Sequence, residues 1–178
     1  MNGRLPPGRF RQLGPVNWVV TKLAARQVRA PEMHLFTTLG QRQFLFWAWA
    51  IYSLRLMRGR LPTIDTELII LRVGHRRACE YELQHHRRMA RKAGLDADTQ
   101  AAIFAWPDDS DKLTDRQRAL LTATDELITD RTVAADTWQR LAGHLNRHQL
   151  IEFCLLATNY DGLAATISAL EIPLDNPR

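Results

Sequence analysis

The stretch Thr66–Leu95, TELIILRVGHRRACEYELQHHRRMARKAGL, decides how the rest of the chain is read. It opens with an acid, Glu67, set in an apolar run of Leu68, Ile69, Ile70, Leu71 and Val73. Farther on, at about 100° per residue, Cys79, Glu82 and His86 fall within one sector of about 60°. Leu83, Met89, Ala90 and Ala93 lie in or beside that sector, and Tyr81, Gln84, Arg87, Arg88, Arg91 and Lys92 take the opposite side. The spacing predicts an amphipathic helix whose apolar stripe holds a thiol, a carboxylate and an imidazole. Gly94 reads as its C-cap, with Leu95 folding back onto the helix.

Reactive groups on an inward face need a physical reason. Glu is rarely buried without a partner, and a charge left alone in an apolar setting is costly. One plain explanation is an i, i+4 pair of Glu82 and His86 at the rim of a core. The second acid, Glu67, tips the balance. Two carboxylates, a His and a Cys converging in one apolar place is how a site with shifted pKa values is built.

The order Glu67, Cys79, Glu82, His86 and the closing AGL resemble the carboxymuconolactone decarboxylase family, which includes the alkylhydroperoxidase D branch. That branch carries a Glu, then CxxC, then a His four residues after the second Cys. Glu67, Cys79 and His86 match it in order and spacing, and Glu82 stands where the second Cys would be. The decarboxylase branch lacks the Cys pair and often shows an E-Y-E-W-x-H-H-like run, to which CEYELQHH, with Tyr81, Glu82, His85 and His86, is closer. The resemblance covers about residues 30–175. It implies an all-α, AhpD-like fold, homo-oligomeric assembly (dimer, trimer or hexamer) and a small-molecule substrate.

With 178 residues, 46% hydrophobic and 24% charged, the chain is expected to form a globular core. Its organisation reads as a basic arm and first helix over residues 1–30, then a helical domain over 31–178. Cys79 and Cys154 do not make a disulfide scaffold and suit buried thiols in a reducing compartment. The longest apolar candidate, Gln43–Leu54, is too short to span a bilayer, and no signal peptide is read at the amino terminus, so a cytoplasmic location is the expectation. Residues 1–60 carry ten Lys/Arg against one acid, while residues 61–178 carry 14 against 18. The basic arm is expected to pair with acids of its own chain or a neighbouring subunit, because aromatics are not interleaved with its arginines as a nucleic-acid binder requires.

Along the chain, Asn17 is expected to cap a helix running to Arg29, where Pro31 forbids continuation. Helical spacing runs from Met33 to Met57, with Gly40 a candidate break. The aromatic group Phe44, Phe46, Trp47, Trp49 and Tyr52 is wider than one buried face needs, which marks core, a pocket wall or a subunit interface. Thr63 or Asp65 starts the Glu67 helix, and Asp96 or Asp98 caps a short one. Thr114 and Gln117 form a capping box, Asp136 is expected to cap TVAADTWQRLAGHL, and a long apolar helix precedes Ile172-Pro173. Nothing alternates for long at period two. The fold class is therefore all-α, a compact helical bundle of six to eight helices.

The leading functional expectation is acid–base chemistry in an apolar pocket: decarboxylation, or a related reaction, of a small lactone or carboxylic acid. Loss of CO2 leaves a carbanion delocalised into a carbonyl, and His86, whose ordinary pKa is nearest neutrality, is the group expected to move the proton. Glu67 and Glu82 orient it, and Tyr81, His85 and Trp47 are candidate substrate contacts. The alternative is a peroxidase, with peroxiredoxin activity, that uses Cys79 alone. Its sulfenic acid then needs an external thiol or Cys154, and Glu82 opposes thiolate formation by like charge. Glu82-x-x-His85 is one half of a di-iron pattern that requires two such motifs, so no metal is expected. Neither G-x-G-x-x-G nor a P-loop is present, and no organic cofactor is expected. A helix-turn-helix reading of TWQRLAGHLNRHQLIEF lacks an exposed basic reading face. A protein that kept the fold and serves only to bind or assemble is the remaining reading.

Overall fold

The structure, a computed structural model, describes residues 3–28 and 30–175. Among these it contains nine α-helices, one short 3-10 turn at Ser110–Lys112 and no strand. The expected first-helix end at Arg29, and the outer ends of the expected 1–30 and 31–178 segments, lie outside the described residues. The chain divides into two compact units, one formed by residues up to Tyr52 together with those from Ala165, the other by Ser53–Ala164.

In the first unit, α1 (Phe10–Val28) begins earlier than the arm-like composition suggested. Its first turn is broken at Gly14, whose φ of 72° is open to glycine, and Pro15 then restarts the helix where a missing N–H costs nothing. Asn17 is thus inside the helix and not its cap; its buried amide donates to the Gly40 carbonyl at 2.9 Å. Gly40 closes α2 (His34–Leu39) and separates it from α3 (Gln43–Met57), so the one long apolar run yields two helices. Asp175, fully buried, accepts from the His34 backbone N–H and contacts its ring Nδ1, both at 2.8 Å. Arg4 of the basic arm pairs with Glu171 at 2.9 Å, an ion pair within the chain itself.

The second unit is organised by α4 (Thr63–Arg76), which packs against α5 (Glu80–Ala93), α6 (Ala97–Ala105) and α7 (Asp115–Asp130). All residues from Asp65 to Gly74 are buried, so α4 is covered on every side and not on a single stripe. Its polar residues are accordingly satisfied. Arg72 donates through Nε and Nη2 to Asp125 at 2.8 and 2.5 Å, and to the carbonyls of Ile103, Phe104 and Trp106 at the end of α6. Asp65 accepts two hydrogen bonds from Arg116 at 2.9 and 2.6 Å. At Gly74 an added Cβ would lie 3.2 Å from Leu83, so glycine is what lets α4 approach α5 closely.

The turn from α4 to α5 is tight. Ala78 adopts a left-handed φ of 49°, and the Cys79 N–H donates back to the Gly74 carbonyl at 2.8 Å, the reversed closure of a helix C-terminus. At the other end of α5, Gly94 (φ 105°) and the Leu95 N–H, donating to the Ala90 carbonyl at 2.9 Å, form the expected cap. Asp96 caps α6 through the Thr99 N–H, and Thr114 with Gln117 forms the capping box of α7. For α8 (Ala135–Ala142) the expected Asp136 cap is replaced by a tertiary one. Glu126 of α7 accepts from the Ala134 N–H at 2.9 Å and the Thr137 hydroxyl at 2.7 Å. Asn146, not singled out in the sequence, caps α9 (Arg147–Ala169) by accepting from the His148 and Gln149 N–H groups.

Because Ala78 carries a Cβ in a conformation that disfavours one, Ala78→Gly is expected to raise the unfolding free energy by about 0.5–1 kcal/mol. Urea denaturation checks this, and an unchanged or lowered midpoint would contradict the strain.

Candidate active site

The candidate residues of the Thr66–Leu95 stretch meet within the second unit. Glu67 stands on α4 between the buried Thr66 and Leu68, and Glu82 and His86 lie one turn apart on α5. His86 Nδ1 is 2.9 Å from Glu67 Oε2, and its Nε2 is 3.3 Å from Glu82 Oε2. One imidazole therefore joins two carboxylates, one through each ring nitrogen. Side-chain exposure is 7% for His86, 2% for Glu67 and 7% for Glu82, so this is a cluster withdrawn from water.

Burial alone would lower the His86 pKa, since it disfavours the charged ring. The hydrogen bonds to Glu67 and Glu82, reinforced by their charges, outweigh it and push the value up to about 9. His86 is thus a cation near neutral pH, with a proton on each nitrogen.

Tyr160, on α9, is the member that the sequence did not disclose. Its hydroxyl is 3.4 Å from His86 Nε2, and its ring meets the imidazole edge-on with centroids 5.3 Å apart. Burial, then the charges of Glu82 and Glu67, hold this hydroxyl well above the ordinary phenol range, so it stays protonated. Glu82 Oε1 is buried with no hydrogen-bond partner.

Cys79 departs from its expected place. It does not ride the helix one turn before Glu82 but stands at the N-cap, with φ −89° and ψ 82°, because the left-handed Ala78 delays the first helical residue to Glu80. The thiol is 7% exposed. Burial raises its pKa, and the charge of Glu82 adds to that, against the opposing pull of the Glu82 and Tyr81 amides. Tyr81 also differs. Expected on the outer side, it is buried at 3% exposure, with its ring edge-on to His85 at 5.3 Å. The first turn of α5 is covered over a wider arc than one apolar stripe describes. Trp47 belongs to the first unit, where it is edge-on to Phe46. Cys154 is half-buried and not deep in the core. It lines an open apolar groove of about 310 Å³ with Trp138, Arg147, Leu150, Ile151 and Leu155.

Among the described residues, no group of three His, Cys, Asp or Glu side chains is arranged to hold a metal ion. No helix among them is long and apolar enough to cross a membrane.

Comparison with known proteins agrees with this architecture. Residues 44–126 match the model of the Carboxymuconolactone decarboxylase family. Among solved structures, the chain is similar to an uncharacterised peroxidase-related protein of Ralstonia eutropha JMP134, described as an alkylhydroperoxidase AhpD core. The TM-score is 0.85 at 16% identity, over 99% of this chain and 94% of that one. A peroxidase-related protein of Silicibacter sp. TM1040 gives 0.76 at 14% identity, over 92% and 86%. A protein of unknown function from Agrobacterium tumefaciens, described as a candidate AhpD antioxidant defence protein, gives 0.69 at 17%, over 74% and 91%. A search of curated proteins finds no match. At these identities the structural likenesses establish the AhpD-like fold.

The raised His86 pKa has a signed consequence. Its stabilising contribution is fully present below the unfolded value of about 6.5 and is lost as pH rises through about 9. Urea unfolding from about pH 6 to about pH 10 should therefore show wild type losing stability relative to His86→Gln. An NMR titration of the His86 ring midway below about 7 would refute the assignment.

Proposed function

We propose that this chain, whose residues 44–126 match the model of the carboxymuconolactone decarboxylase family, performs acid–base chemistry at His86 on a small lactone or carbonyl-bearing carboxylic acid, decarboxylation being the leading reaction. The observation that carries the reading is the buried Glu67–His86–Glu82 arrangement, with His86 protonated up to about pH 9. An imidazolium held in low dielectric is a general acid already charged before substrate arrives. As CO2 leaves, the electrons of the broken C–C bond pass into the neighbouring carbonyl, and the resulting enolate receives the Nε2 proton. Glu67, bonded to Nδ1, fixes the ring and steadies its charge. Glu82 does the same from the Nε2 side, and Tyr160 packs the ring edge. Tyr81 and His85, one turn apart on α5, are proposed to contribute to substrate selection.

The alternative is hydroperoxide reduction at Cys79. The peroxidase-related descriptions of the similar structures favour it. The raised thiol pKa and the absence of a second sulfur at position 82 count against it. Self-association is also proposed. Phe44 (93% exposed), Leu45 and Ile51 present a large apolar face on α3, of the kind that marks an interaction surface. Size-exclusion chromatography with light scattering would detect it.

Release of CO2 from a carboxymuconolactone and related lactone acids tests the main reading. His86→Gln should lower turnover by at least about 100-fold, with the fold retained by circular dichroism. In wild type, kcat/KM should hold steady below about pH 9 and fall above it, as the acid form is lost. An unchanged rate in the variant would overturn the proposal. Hydroperoxide consumption with a dithiol that vanishes in Cys79→Ser would shift the assignment to the thiol.

A further inference from the structure

Two atoms of the cluster are left incomplete by the contacts within it. Glu82 Oε1 is buried and accepts no hydrogen bond, on a side chain 93% withdrawn from solvent. Tyr160 has the complementary deficit. With a proton on His86 Nε2, the phenol oxygen accepts there, at 3.4 Å, and its own O–H has no acceptor within the cluster. The carboxylate that carries the unused acceptor, on α5, and the phenol that carries the unused donor, on α9, both contact the same ring nitrogen, Glu82 through its other oxygen. In a buried place each deficit costs free energy, so their pairing asks for one group that fills both.

The chemistry of that group follows from what each side demands. A carboxylate takes the Tyr160 proton but is repelled by Glu82. A metal ion suits Glu82 and meets the wrong end of the phenol. A carbonyl or an ether satisfies Tyr160 and leaves Glu82 as it was. A hydroxylic oxygen, which accepts from one neighbour and donates to the other, completes both.

We infer that Glu82 Oε1 and the Tyr160 hydroxyl form a seat for a neutral enol or other hydroxylic oxygen, entered by a substrate carbonyl and completed when that carbonyl becomes an enol. This rests on the acid–base reading above and names the feature its substrates share. On loss of CO2, the broken C–C pair becomes the enol double bond and the carbonyl π pair moves onto oxygen. That oxygen takes the Nε2 proton of His86. The new O–H then donates to Glu82 Oε1, while Tyr160 goes on donating to the same oxygen. Collapse to product returns the O–H proton to Nε2 as the carbon takes one from water. The sum is one proton consumed per CO2 released. Because Glu82 gains its hydrogen bond only after the carbonyl has become an enol, the seat favours what the reaction makes over what enters it, which is the requirement for catalysis. The departing carboxylate is held elsewhere, away from Glu82.

Phenol is a permanent enol that stays neutral at about pH 7, and it makes the test direct. Ligand-observed NMR titrations compare phenol with anisole, which has no O–H to give, and with benzoate, which is charged. Wild type should bind phenol at least about tenfold more tightly than either. In Glu82→Leu, which has no acceptor, that preference should fall to within about threefold, whereas Tyr160→Phe should weaken phenol and anisole together and keep their ratio, while thermal unfolding shows both variants folded. At position 82, loss of a merely structural contact would weaken phenol and anisole together. Equal binding of anisole, tighter binding of benzoate, no phenol binding to the folded protein, or a preference that survives Glu82→Leu would each overturn the seat. Its failure is separable from failure of the acid–base reading. CO2 release that depends on His86 without any phenol preference removes the seat alone. Phenol preference in a protein that decarboxylates no lactone acid removes the reaction and keeps the seat.

Discussion

A protonated imidazole held between two carboxylates, out of water, is the interaction on which the second unit depends. Each partner alone would be costly to bury; together they are tolerated because each nitrogen of His86 meets an oxygen, at 2.9 and 3.3 Å. Such a set adds little net stability over well-packed apolar residues, but it is unforgiving about geometry. Glu67 comes from α4, Glu82 and His86 from α5, and the Tyr160 ring that closes the edge from α9. The register of three helices is therefore specified by one ring, and a slip of either neighbour would strand a charge.

The remainder of the unit keeps α4 in that register. Arg72, a turn and a half beyond Glu67, has each of its three nitrogens bonded and ties the helix to Asp125 on α7 and to the carbonyl end of α6. Asp65, on the other side of Glu67, is held by Arg116. Gly74 brings α5 near enough for His86 to reach across. Arg77 and Arg131 both donate to Asp161, the residue after Tyr160, fixing the α9 position that presents the phenol. Charged residues inside the unit are thus spent on location, while Leu68–Leu71, Leu120, Leu121, Phe153 and Leu156 supply the buried apolar area.

What the sequence disclosed and what it hid divide along the range of the interactions. Glu82 and His86 were legible because helical spacing is local, and Glu67 because an acid inside ELIILRV has few innocent explanations. The Gly94 and Thr114 caps were legible for the same local reason. Cys79 was misplaced because periodicity gives the phase of a helix and not its first residue, which here is set by the left-handed Ala78. Asp136 lost its cap to Glu126, a neighbour on α7 that no local pattern points to. Tyr160 was invisible since the polar residues of α9 are not gathered on one face that would mark its inward side, and the imidazole it meets is 74 positions away.

Those same separations bear on how the unit assembles. Glu152 of α9 accepts from the backbone N–H groups of Arg60 and Leu61, at 2.5 and 2.9 Å, and so fixes the turn from which α4 starts. The contact spans about 90 positions, and the Tyr160–His86 contact nearly as many. Closing loops of that length carries an entropic cost that must be met before the contact repays it. The α4–α5 pair, joined by a three-residue turn, can form early with Glu67 and His86 already in reach. The phenol and the correct start of α4 arrive together when α9 docks. The cluster is therefore the last part of the unit to be completed in time, although its two carboxylates and its imidazole lie within twenty residues of one another in sequence.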